Sequence, residues 1–299
     1  MTTMYSPAMT IASVSDIGDG QIQQDYVSIS DDMRRIVLCD GHGLFGHDFA
    51  QATCDFMLSQ KYPETRDPYM LFSLTNTHLK ETMGDKMGGT TCTYVSFDSD
   101  KNMTVANVGD SSVRYWDSCD SGTCASTDHS PTRLDEFLRI RNAGGDCVFD
   151  DNRGAFPKGQ QPVFLPCDFF FAFNASGVNY YKNCRKEYAA YFKSPCDTKR
   201  LAVTRSFGDW PLVPYGLITE PSVRMVTPSD ATRSVVIASD GLWDVMLDLE
   251  IGNILRAPVF LDRRDALGAA AALLETALVA GRKQFGQTRD NITIVVAYV

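Results

Sequence analysis

The chain has 299 residues, with 28 Lys and Arg against 37 Asp and Glu and a formal net charge of −9. That balance argues against a nucleic-acid binder, because no basic run is present to displace counterions from phosphates. The hydrophobic fraction of 44% and charged fraction of 22% are those of an ordinary folded protein, and no stretch approaches the ~18 apolar residues of a membrane span.

Residues 23–30 and 35–40 read as two short strands. Residues 46–60 place Phe49, Ala52, Thr53, Phe56 and Met57 at helical spacing. Residues 68–83 are a second helix, with Leu71, Leu74, His78 and Leu79 on one side. Strands follow at 90–97 and 103–108, joined as a hairpin by the polar cluster 98–102, and then at 112–116. A helix over 131–142 starts at Pro131 and is ended by Ala143, Gly144 and Gly145.

The stretch 147–199 differs. It is rich in Gly, Pro, Cys and aromatics, shows no sustained period, and reads as an irregular insertion with one hairpin at most and a short helix within 180–192. Its aromatic content argues against disorder. Beyond it come a fully apolar strand at 234–238, an Ala- and Leu-rich helix at 263–283 and a last strand at 291–299. No βαβ alternation is sustained, so the fold class is α+β with largely antiparallel sheet. One domain over 1–299 accommodates all of it.

Residues 1–15 carry no basic n-region, so neither a signal peptide nor a transit peptide is expected. Nine cysteines without paired zinc spacing read as reduced thiols of an intracellular protein, cytoplasmic or nuclear.

The chemistry is carried by four aspartates at the ends of these runs: Asp25, Asp40, Asp240 and Asp290. Asp40 and Asp240 each follow at least four largely apolar residues and precede a glycine. A carboxylate closing a hydrophobic strand is costly to bury unless something positive meets it. Four of them suit hard cations such as Mg²⁺ and Mn²⁺, which take carboxylate, carbonyl and water oxygens. Asp25 or Asp290 alone would more often be a turn or capping residue.

In order along the chain, Gln24 and Asp25, the run Asp40, Gly41, His42, Gly43, the run Gly88, Gly89, Thr90, Thr91, the run Asn107 to Ser111, Asp128 to Pro131, Asn142 to Gly145, Leu201 to Asp209, Ala238 to Val245, and Arg289 to Asn291 together resemble the metal-dependent serine/threonine protein phosphatases of the PPM or type 2C family. The resemblance implies a four-layer αββα sandwich of two antiparallel sheets flanked by helices. It also implies that Asp40 bridges two Mn²⁺ or Mg²⁺ ions, that the Gly41 carbonyl completes one shell, and that Asp240 and Asp290 hold the other ion. Asp25 would then hydrogen-bond water in the ion shell, and Asp128 and Asp244 would hold a third, weaker ion. His42 resembles the family's general acid, which protonates the departing serine or threonine oxygen. A phosphoprotein substrate and a monomeric enzyme, with no nucleic-acid or membrane partner, complete the expectation.

One departure bears on activity. The family grips substrate phosphate with an arginine a few residues before its first acidic motif, yet residues 1–33 contain no Lys or Arg. Losing a bidentate guanidinium contact predicts ~10–100-fold weaker catalytic efficiency. Ser112 also stands where an arginine is usual. The alternative reading is therefore a phosphatase-like scaffold with a weakened or absent activity. Arg153, Lys158, Lys182, Arg185 and Lys186 are candidates to supply the missing charge. Asp110 and Asp209 are expected to brace loops through backbone or Arg205, His129 to orient its own loop, and Thr90 and Thr91 to be structural.

Overall fold

The computed structural model describes residues 9–61, 67–117, 122–151, 188–195, 200–229, 232–286 and 290–299. Within them the strands gather into two main antiparallel sheets. The first has five strands in the order β1 (Thr10–Asp16), β14 (Ile292–Tyr298), β13 (Ser234–Ala238), β7 (Ser112–Trp116) and β8 (Thr123–Cys124). The second has seven strands and runs β11 (Phe207–Gly208), β4 (Gly89–Thr90), β3 (Arg35–His42), β5 (Cys92–Phe97), β6 (Met103–Val108) and β12 (Ser222–Val226), with β2 (Asp25–Ile29) paired to β3.

Side-chain alternation explains why the two sheets stack. In β3, Ile36 and Leu38 enter a core shared with Val235, Ile237, Val295 and Ala297 of the first sheet. Val37 and Cys39 point the other way, onto helices α1 (Gly46–Ser59) and α2 (Pro68–Met83), where Phe49, Met57, Leu71, Phe72 and Leu79 are fully or almost fully buried. The first sheet repeats the pattern. Val236, Ala238, Ile294, Val296 and Tyr298 pack on its outer face against helices α4 (Asp240–Trp243), α5 (Asp248–Leu255) and α7 (Ala266–Phe285), the last preceded by the short α6 (Pro258–Leu261). Strands buried on both faces lose the hydrophobic–polar alternation, which is why 235–238 and 294–299 are unbroken apolar runs. Each such Val, Ile or Leu contributes roughly 1.5–3 kcal/mol, and the result is the expected αββα sandwich.

Three departures from the sequence-based expectation have physical causes. The strand expected over 90–97 breaks at Thr91, whose N–H donates to the Asp40 carbonyl at 2.9 Å, so β4 and β5 pair with different parts of β3. Helix α3 (Leu134–Asn142) begins after Pro131 because Ser130 closes a turn, its carbonyl accepting from Arg133 N at 3.1 Å and its hydroxyl from Thr132 N at 3.2 Å. The short helix expected within 180–192 is corrected as well. Its described part belongs to β10 (Tyr188–Lys193), which pairs antiparallel with β9 (Asp146–Asp151). Pairing with a distant strand outweighs local helix preference there. The remainder of the insertion, with the five candidate cations, lies outside the described residues.

Candidate active site

The four aspartates predicted to cooperate lie at neighbouring strand ends. Asp25 opens β2 and Asp40 lies near the end of β3, and the register sets them directly opposite each other. Asp240 follows β13 and opens α4, while Asp290 lies just before β14. Ser239 ties the two sheets together here. Its hydroxyl donates to Asp25 Oδ2 at 2.8 Å and accepts from Thr293 N at 3.0 Å, and its own N–H reaches the Thr293 carbonyl at 3.1 Å. Asn291 makes a second tie, accepting from Gln24 N at 2.7 Å and donating to the Ile17 carbonyl at 2.8 Å.

Asp40 is held through its backbone. Its N–H donates to Thr91 Oγ1 at 3.0 Å, and its carbonyl accepts from Thr90 Oγ1 at 3.0 Å as well as from Thr91 N. The two threonine hydroxyls are thus structural, as expected. Gly41 is required by space, since a Cβ there would lie 2.2 Å from the Gly46 carbonyl oxygen.

The carboxylates act on one another's ionisation. Burial pushes Asp25 up to about 7, partly offset by hydrogen bonds from Ser239 and Thr293 and reinforced by the charges of Asp240 and Asp290. Asp40 is half-buried as a residue, yet burial of its carboxyl and then the charges of Asp25, Asp240, Asp290 and Asp110 raise it well above the usual carboxylate range. Like charges crowded in low dielectric raise one another's pKa in this way. Among the described residues Asp25 Oδ1 is buried with no hydrogen-bond partner, so its lone pairs remain for a further ligand.

The hard-oxygen donor set, the crowded negative charge and the unsatisfied Asp25 oxygen fit divalent cations in kind. Among the described residues, however, no three His, Cys, Asp or Glu side chains close on a common point at ion-binding separation. Asp128 and Asp244 are not among the leading charges on Asp25 or Asp40. Asp128 accepts from the Ser112 hydroxyl, so the residue in the usual arginine position serves that aspartate. Asp244 continues α4, its N–H donating to the Asp240 carbonyl at 2.8 Å.

His42 holds the other half of the site. Its Nε2 lies 2.6 Å from Asp209 Oδ2, which also accepts from Ser206 Oγ at 2.8 Å. Of the two partners expected to let Asp209 brace its loop, backbone or Arg205, neither meets Oδ2: the His42 and Ser206 side chains do. Arg205 instead donates through Nε and Nη2 to Glu136 Oε1, at 3.0 and 2.6 Å. No short-range spacing links His42 to Asp209, which lie 167 positions apart, so only the pairing of β4 with both β3 and β11 could show the contact.

His129 is buried, with Nε2 2.7 Å from Ser222 Oγ, and burial followed by the Arg205 charge lowers it to about 3. It stays neutral and structural. Cys39, Cys54 and Cys92 are buried free thiols that burial pushes up in pKa, which makes them poor nucleophiles.

Comparison with known proteins bears on the family and the fold. The family model for protein phosphatase 2C matches residues 47–284, a span that takes in Asp128, Asp240 and Asp244 and leaves Asp25, Asp40, Gly41, His42 and Asp290 outside. Among similar proteins, probable protein phosphatase 2C 41 of Arabidopsis thaliana is 25% identical over 95% of this chain and 80% of its own length. Protein phosphatase 2C 37 of the same plant is 29% identical over 73% of this chain and 44% of its own length, so the chain spans less than half of that relative. The serine-threonine phosphatase 2C structure from Toxoplasma gondii superposes with a TM-score of 0.72 at 18% identity, covering 98% of this chain and 95% of that one; at that identity it speaks for the fold. The chain belongs to the protein phosphatase 2C family.

Proposed function

We propose that this chain is a metal-dependent protein serine/threonine phosphatase. The observation that carries the reading is the convergence of strand ends: register sets Asp25 opposite Asp40, and the charges of Asp240 and Asp290 act on both. Asp40, the Gly41 carbonyl, Asp240 and Asp290 would hold two Mn²⁺ or Mg²⁺ ions, and Asp128 and Asp244 a third, weaker one. Bound there, the ions would supply Lewis acidity, making hydroxide available near neutral pH and neutralising phosphoryl charge.

The chain's own residues do the rest. Asp25, fixed by Ser239, would offer an acceptor to water near the ions. His42, at the end of β3, gives a proton to the departing serine or threonine oxygen. Gly41 lets the backbone approach closely where a side chain could not fit. Among the described residues no helix is long and apolar enough to cross a membrane. Buried free thiols suit an intracellular enzyme, cytoplasmic or nuclear. We read it as one phosphatase domain acting as a monomer on phosphoproteins.

With Mn²⁺, the purified protein is expected to hydrolyse a phosphoserine peptide and an aryl phosphate. Asp240→Asn should lower kcat by at least ~100-fold, since it removes one of the few charges holding the ions. Absence of turnover with Mn²⁺ and with Mg²⁺ at any substrate concentration would overturn the assignment. The scaffold alternative rests on the absence of Lys and Arg from residues 1–33 and has no support from the comparisons.

A further inference from the structure

The structure assigns Asp209 the part of a positioning residue, which fixes the His42 imidazole for proton donation. The inference rests on the phosphatase reading and adds a residue to it. Asp209 Oδ2 accepts two hydrogen bonds, from His42 Nε2 at 2.6 Å and from Ser206 Oγ at 2.8 Å. An ionised carboxylate only accepts, so Nε2 keeps its hydrogen on Asp209, and the proton to be given away is the second one, carried on Nδ1 when the ring is the imidazolium. Asp209 thereby fixes the ring's orientation and, once that proton has left, its Nε2–H tautomer.

The local backbone is bent to make this contact. Asp209 is a non-glycine residue in the left-handed region, with φ 48° and ψ 37°, a conformation that crowds Cβ against the following carbonyl oxygen. Its N–H is anchored on the Gly88 carbonyl at 2.9 Å, and its carbonyl accepts from Leu212 N at 2.8 Å. Gly89 clears the space, since a Cβ there would lie 2.2 Å from Asp209 Oδ2. Gly208 clears the adjoining turn, where a Cβ would lie 2.5 Å from the Gly88 carbonyl oxygen. The Asp209 side chain is 11% exposed against 27% for His42. The carboxylate is the sheltered member and the imidazole the one that reaches outward.

In the reaction, the P–O bond to serine breaks and its electron pair stays on the serine oxygen, which takes the Nδ1 proton of the His42 imidazolium and leaves the neutral Nε2–H ring. Water forms the new P–O bond, and the proton it releases to solvent balances the one the ring then regains. Asp209 touches no reacting atom. Its loss should therefore be felt most where the leaving oxygen needs the proton most.

The test compares wild type, Asp209→Ala, Asp209→Asn and Ser206→Ala, with Mn²⁺, on p-nitrophenyl phosphate and on a phosphoserine peptide. Asp209→Ala is expected to lower kcat on the peptide ~10–100-fold, within the range of general-acid effects, and to change p-nitrophenyl phosphate turnover less than about threefold because that leaving group departs without a proton. Asp209→Asn, which still offers an acceptor, should recover part of the loss. Ser206→Ala should show a smaller loss in the same direction, and His42→Ala combined with Asp209→Ala should be no slower than His42→Ala alone.

A readout free of turnover is ¹⁵N NMR of the His42 ring, one of four histidines. Its Nε2–H form should dominate in wild type and lose that preference in Asp209→Ala. Equal losses on both substrates, additivity with His42→Ala, or an unchanged tautomer would overturn the assignment of Asp209 while leaving the phosphatase reading intact. A wild type that turns over neither substrate would sink both.

Discussion

Gly20 and Gln21 occupy the loop before Asp25, where the resemblance expects a phosphate-gripping arginine, and the structure separates the two as places to restore it. A Cβ on Gly20 would meet Asn291 Nδ2 at 3.2 Å and the Ile17 carbonyl oxygen at 3.3 Å, crowding the amide that ties Gln24 and Ile17 together. Gln21 is exposed. Gln21→Arg is therefore expected to raise kcat/KM on a phosphopeptide by ~10-fold, the lower end of what a charge-assisted contact yields, without loss of stability. Gly20→Arg should gain less and lower Tm. No gain from either variant would show that another group already grips the phosphate. At this scale the sequence singled out candidate residues and was silent about their partners. Asp25 was legible at the start of a strand, but its bond to Ser239, 214 positions away, was not.

Among the elements, α3 shows how a buried ion cluster joins the second sheet to its surroundings. Glu136 lies in α3 with its side chain 1% exposed, meeting Arg205 and Arg139 and accepting from the Thr204 hydroxyl. Burial alone would raise its pKa, but Arg205, Thr204 and Arg139 outweigh it and hold it at about 2. A folded pKa below the ordinary 4.5 means that the contribution is present above about pH 4.5 and lost as pH falls toward 2. Glu136→Gln is accordingly expected to cost about 3 kcal/mol at pH 7, measured by denaturant unfolding, with the gap to wild type closing between pH 4.5 and 2. A gap independent of pH would mean that packing, not charge, holds this cluster. Element positions were legible where period and burial agree: 68–83, 103–108, 112–116 and 234–238 coincide with α2, β6, β7 and β13. Strands β1 and β12 were missed because both are half-buried or exposed for most of their length and carry no sustained apolar run. Their hydrogen bonds to β14 and β6, not their composition, make them strands.

For the whole molecule, the crowded carboxylates couple stability to pH and to cations. Asp25 sits at about 7 in the folded chain against an ordinary 3.8, and Asp40 is raised as well. A raised carboxylic pKa favours the protonated fold. The metal-free chain should therefore lose stability as pH rises from about 4 through about 7, and change little from this cause above that. A divalent cation favours the ionised form and offsets the loss, so the rise in Tm on adding Mn²⁺ should be larger at pH 8 than at pH 5. Thermal unfolding at the two pH values, with and without Mn²⁺, checks this. An equal shift at both would place cation binding elsewhere than on these carboxylates.

Local patterns were enough for the class of fold, most of the helices and strands, and the identity of the acidic residues, because apolar spacing and a charge closing an apolar run are properties of neighbouring residues. Tertiary structure alone decided which carboxylates face one another, that Ser239 and Asn291 bind the two sheets at the site, and that Asp209 reaches His42. Those relations depend on register and on strand order. Both are set by burying two sheet faces at once, a global condition that no short stretch of sequence carries.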